Sequence, residues 1–216
     1  YKTQRILQFS MYGDIKNGNT SSAIEHMSAM LDVTRHQNNT KFIIGSLVSA
    51  KSFSIAVENE HLIDSANDVS QLEVMLEKTN SLDAFDPFIL RKNVGDEGEF
   101  IADWLKGTEN PDFDIYETIT NIDVDTTGWI MEEEIETYSS MMKKTAAVFQ
   151  MEDEEEATKA ALELIQEVNE IGKLTELLYV STDKLIGAAF NSVREVAQFK
   201  ELLQTKIDMQ IGRAHV

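Results

Sequence analysis

The sequence predicts a mainly α protein with a small α/β region at its start, a helix–loop–helix near the middle, and a long helical hairpin or bundle after it. Three observations carry that expectation. Apolar residues recur at three- and four-residue steps along most of the chain, and helix-start signals such as Ser22 with Glu25, or Asn110-Pro111, sit where those patterns begin. From Ala157 an apolar track steps by four and three as far as Leu178, the spacing of a packing seam. With 216 residues and 42% apolar content the chain can bury a sizeable core, as one domain or two small ones. In chain order the regions are 1–80 (α/β), 81–150 (helical, with a loop), 151–210 (helical hairpin) and a tail, 211–216.

The tail Ile211-Gly212-Arg213-Ala214-His215-Val216 is what the codons ATC GGA AGA GCA CAC GTC would give, a string resembling a common sequencing-library adapter. It is therefore set aside as non-native, and a chain opening on Tyr1 is expected to be an internal fragment. Without Arg213 the formal charge of −19 becomes −20. Such a field repels phosphate backbones and anionic membrane surfaces, so neither nucleic acid nor a membrane is an expected partner. The acidity fits solubility or a saline habitat as well as it fits cation binding. Zero cysteines exclude disulfides, thiolate metal sites and cysteine nucleophiles, leaving the compartment open. No apolar run reaches membrane-span length.

Leu7, Phe9 and Met11 alternate between Arg5 and Tyr12, the period of a half-buried strand. The capping-box pair Ser22 and Glu25, with Ile24, Met27, Leu31 and Thr34 at helical spacing, predicts a helix from about Ala23 to Thr34. Strands are expected again at Lys41–Val48, a short apolar run, and around Phe53, Ile55 and Val57. Val69, Leu72 and Leu76 mark a helix from near Asp68. Pro87 breaks regular structure between Asp83 and Asn93, and Glu99–Lys106 fits a short helix packing Phe100, Ile101, Trp104 and Leu105, capped by Gly107. At Asn110-Pro111, with Asp112 and Asp114 in the first turn, a further helix should start.

That helix leads into Asp123-Val124-Asp125-Thr126-Thr127-Gly128-Trp129-Ile130-Met131-Glu132-Glu133-Glu134. A hard cation such as calcium takes six to eight oxygens, which a twelve-residue loop supplies from positions one, three, five, seven and twelve around a glycine at six. Here Asp123, Asp125, Thr127, the Trp129 carbonyl and a bidentate Glu134 occupy those positions around Gly128. Ile115, Ile119 and Ile122 line one face before the loop, and Ile135, Tyr138, Met142 and Phe149 one face after it. Over residues 111–149 the chain resembles an EF-hand. The resemblance implies a calcium site, with Ile130 in the position that pairs with a second loop. Met131 at the ninth position and Thr127 at the fifth depart from the family pattern, and three carboxylates imply a weak or sensor-like site. A degenerate mate is sought at Asn93–Trp104, otherwise beyond the ends or in a dimer. The competing reading is a β-hairpin turning at Asp125–Gly128 and returning through Trp129–Met131.

The acidic run Glu152–Glu156 suits the first turn of a helix whose seam is Ala157, Ala161, Leu164, Val168, Ile171, Thr175 and Leu178. Ser181, Thr182 and Asp183 offer caps for a last helix with Leu185, Ala189, Val196, Phe199 and Leu203 on its seam, packing antiparallel to the first. Met141, Met142 and Met151 fit core filling better than a pliable partner groove. Asn19-Thr20-Ser21 and Asn38-Asn39-Thr40 match the glycosylation sequon as ordinary loop residues, and His26, His36 and His61 have no metal-ligand spacing. No phosphate-cradling, dinucleotide or HExxH motif is present, so an enzyme is not the expectation. The function expected is a calcium-responsive binding module acting on a protein partner or through self-association of its helices. The alternative is a metal-free structural or oligomerisation protein, such as a phage or scaffold component.

Overall fold

Gln4, Leu7, Met11 and Ile15 recur every three or four residues, and this period governs the first segment. In the computed structural model, which describes residues 2–38, 42–106, 131–171, 175, 179 and 182–214, α1 spans Lys2–Lys16. Gln4 and Met11 are fully buried, whereas Phe9 is 73% exposed. The α/β start is therefore corrected: α2 (Thr20–Gln37), α3 (Ile43–Val57) and the short 3-10 helix Glu60–Ser65 follow, and no strand occurs among the described residues. The misleading feature of α1 is Gln4, a polar residue on the core face, whose Nε2 donates to the Ser52 carbonyl at 2.7 Å. In α3 the core face is Ile43, Ser46, Ser49, Ser52, Phe53 and Ala56, so small hydroxyl residues mask the helical period while Ile44 is 72% exposed.

The chain divides into two compact units, Tyr1–Leu90 with Ala189–Val216, and Arg91–Ala188. In the first, α2 packs against α1, α3, the 3-10 helix and α4 (Val69–Asn80). Helix α2 starts at Thr20 rather than Ala23, so Ser22 lies inside it, and Asn19 stands at the N-cap without a side-chain cap bond. Gly18, at φ +74°, makes the reversal from α1 to α2 in a backbone region closed to most side chains. Asp68 caps α4 by accepting from the Ser70 amide at 2.9 Å and the Ser70 hydroxyl at 2.7 Å, which holds its carboxyl below the usual range. Asp83 accepts from the Phe85 and Asp86 amides, and Ile89 adopts φ +51°, a strained value for a β-branched residue, between the buried Phe88 and Leu90.

Val196, Phe199, Leu203 and Ile207 of the last helix, α8 (Thr182–Ala214), complete that core. Phe53 stands 5.5 Å from Phe88 and 5.9 Å, edge on, from Phe199. Lys206 and Gln210 donate to the carbonyls of Asp64 and Ala66, tying this stretch of α8 to the end of the 3-10 helix. Both helices of the expected hairpin exist, but the seam Val196–Phe199–Leu203 is buried in this core.

In the second unit, α5 (Leu90–Lys106) starts at Leu90 rather than Glu99, α6 is Met131–Phe149 and α7 is Glu154–Ile171, packed on α6. Val94 and Ala102 are buried on α5 while Phe100 and Trp104 are 56% and 41% exposed, so the apolar side expected to pack is not the buried one. A Cβ at Gly98 would stand 2.7 Å from the Met142 Cβ, an atom that moves only with its backbone. Gly98→Ala is expected to lower stability by a net ~1–2 kcal/mol, overpacking outweighing helix propensity. At Gly95, where a Cβ would meet Ala146 at an ordinary 3.6 Å, alanine should gain up to about 1 kcal/mol. Urea denaturation of the two variants checks the opposite signs.

Candidate metal loop and its outgoing helix

Of the five expected ligands, Asp123, Asp125, Thr127 and Trp129 lie outside the described residues, as do Gly128, the incoming helix with Ile115, Ile119 and Ile122, and its start at Asn110-Pro111. Glu134 is described. It lies in the first turn of α6, half-buried, beside the exposed Glu132 and Glu133, where three carboxylates meet the positive end of the helix dipole. Met131 is already helical, so a hairpin returning through it is corrected: the ninth to twelfth positions of the candidate loop form one helical turn. Asn93–Trp104 is continuous helix within α5, which removes it as a degenerate mate.

The buried face of α6 is the one that the sequence marks. Ile135, Tyr138, Met142 and Phe149 are 7% exposed or less, joined by Met141, Thr145 and Val148. Met141 and Met142 thus fill core, as their period requires. Glu134 precedes Tyr138 by four residues, one turn along the same side of the helix, and Tyr138 is 1% exposed. Burial, with the nearby Glu97 carboxylate adding to it, pushes the Tyr138 phenol up to about 12. The neutral phenol is favoured in the folded state, so its contribution to stability is complete below pH 10 and is lost as pH rises towards 12. Tyr138→Phe should flatten the fall in stability between those values, read from urea midpoints against pH.

Further along α6, Thr145 donates to the Met141 carbonyl at 2.9 Å, and its hydroxyl lies 3.0 Å from the Tyr179 hydroxyl. Thr182 Oγ1 donates to that same oxygen at 2.6 Å, so one phenol joins α6 to the first residue of α8. At the C-terminal end of α6, Arg91, 2% exposed, donates from Nη1 to the carbonyls of Phe149 at 2.6 Å and Met151 at 3.0 Å. A cation there satisfies the carbonyls that a helix leaves open and matches its negative end. Neither Tyr179 nor Arg91 carries a sequence signal, since an isolated arginine or tyrosine ordinarily marks surface or generic core. Between α6 and α7 a groove of about 410 Å³ is lined by Glu136, Thr137, Ser140, Met141, Lys144 and Glu167, with Lys144 paired to Glu167.

Among the described residues no group of three or more His, Asp or Glu side chains is arranged to hold a metal ion. His26 Nδ1 lies 3.0 Å from Asp14 Oδ2, while His36 and His61 are exposed. No described helix is long and apolar enough to cross a membrane. No family model, no curated protein sequence and no solved structure matches the chain.

Proposed function

We propose that the chain is a calcium-responsive binding module in which Asp123, Asp125, Thr127, the Trp129 carbonyl and Glu134 enclose the ion. The observation that best supports this reading is the position of Glu134. The residue that the loop spacing makes the bidentate ligand lies on the first turn of α6, directly before the buried Ile135 and one turn before Tyr138. A loop whose last ligand belongs to a packed helix converts ion capture into a pull on that helix. The buried face Tyr138, Met141 and Met142 is what such a pull would shift, altering the apolar surface offered to a protein partner. Calcium would supply charge and open coordination positions, and the residues would supply the oxygen donors that fill them and the lever.

Calorimetric titration with calcium tests the proposal. The expected result is saturable binding with Kd of roughly 10⁻⁵ to 10⁻³ M, the weak end for sites of this kind, weakened at least ~10-fold by Glu134→Gln. Absence of saturable heat up to about 10 mM calcium, roughly ten times the weakest expected Kd, would sink it.

A further inference from the structure

Helix α1 presents to solvent a face whose charge is opposite to that of the chain. Lys2, Ile6, Phe9, Gly13 and Lys16 follow one another at steps of four and three, all exposed, with Ile6 at 65% and Phe9 at 73%. Steps of that size put the five on one stripe of a helix. The acids near it are turned elsewhere: Asp14 faces His26 on α2, and Glu58 accepts from Gln8 at 3.0 Å on the flank. In a chain with 38 acidic and 19 basic residues this is a cationic stripe with two bare apolar side chains at its centre.

A matching surface exists on α7. Glu155, Lys159, Leu162 and Gln166 form an exposed stripe there, with Leu162 48% exposed, and the exposed Glu156 and Glu163 follow Glu155 and Leu162 by one residue. Phe9 and Lys16 are seven residues apart, as are Leu162 and Glu155, so each pair spans about 10.5 Å along its helix axis. Laid antiparallel, Lys16 meets Glu155 when Phe9 meets Leu162, and Gly13, whose Cβ position has nothing within 4 Å, leaves room opposite Lys159. We propose that the outward face of α1 docks on α7 of a second copy of this chain, in this register. The two surfaces differ, so the contact is heterologous and each copy keeps one surface of each kind. It requires no calcium. A single helix pair falls below the ~1,200 Å² of stable interfaces, and the association is accordingly weak.

Sedimentation equilibrium in chelator tests it, up to about 1 mM protein, the range for a contact of that class. The wild type should rise with concentration above the 24.4 kDa monomer. Phe9→Ser with Lys16→Glu, and separately Leu162→Ser with Glu155→Lys, should each weaken association at least tenfold while circular dichroism keeps the helical signal. Glu155→Lys moves the formal charge of −19 two units towards neutrality, so relief of general repulsion would strengthen association rather than abolish it. An equimolar mixture of the two variants retains one intact contact per pair, the other keeping a reversed ion pair without its apolar centre, and should associate at least as far as the dimer. A monomeric wild type, variants that associate like the wild type, a mixture that stays monomeric, or a monomer that binds phosphatidylserine vesicles through Phe9 would each overturn the proposal.

Discussion

Phe53→Ala is expected to cost about 3–5 kcal/mol, the range for emptying a buried aromatic site. Phe53 is fully buried and is the ring on which Phe88 and Phe199 converge, from the turn before α5 and from the last helix respectively. Removing it leaves a cavity bordered by three chain segments far apart in sequence, none of which can close alone. Phe53→Leu should cost about half as much or less, since most of the volume survives. Urea denaturation gives the magnitude, and amide exchange should accelerate first in α2 and α3, the elements of that core.

Arg91→Met is expected to lower stability by about 2–4 kcal/mol, because two charge-assisted hydrogen bonds to carbonyls at the end of α6 go together. Methionine keeps much of the volume, so the loss reports the polar contacts and not a void. Arg91→Lys should recover only part of it, since an ammonium can donate to both carbonyls as Nη1 does, but the lysine stem ends one bond short of that position. Amide exchange localised to the last turn of α6 separates this effect from a general loosening.

The fold was legible wherever apolar periodicity and local capping agreed. Asp68 announced α4, the spacing of Ile135, Tyr138, Met142 and Phe149 announced the buried face of α6, and Ala157, Ala161, Leu164 and Val168 did the same for α7. It was illegible where the core face is polar. Gln4 on α1 and the serines of α3 broke the helical pattern, and the alternation left behind imitates strands. Which distant segments share a core was equally hidden, because the meeting of Phe53 with Phe199 depends on packing that no local window contains. For the proposed loop, the sequence carries the spacing of Asp123, Asp125, Thr127, Trp129 and Glu134, and it marked the helix whose first turn holds Glu134. It gave no hint of Arg91 at the far end of that helix or of Tyr179 beside Thr145, whose roles come only from their partners.

The proposed ion loop is tested most directly by proximity. Trp129, at the seventh position, would hold its indole close to any ion bound by its own carbonyl, and Trp104 is the other tryptophan in the chain. With Trp104 replaced by Phe, terbium added in place of calcium should give saturable luminescence sensitised by Trp129, displaced by calcium and abolished by Glu134→Gln. Emission no stronger than that of the Glu134→Gln protein, or emission that calcium does not displace, would contradict the account.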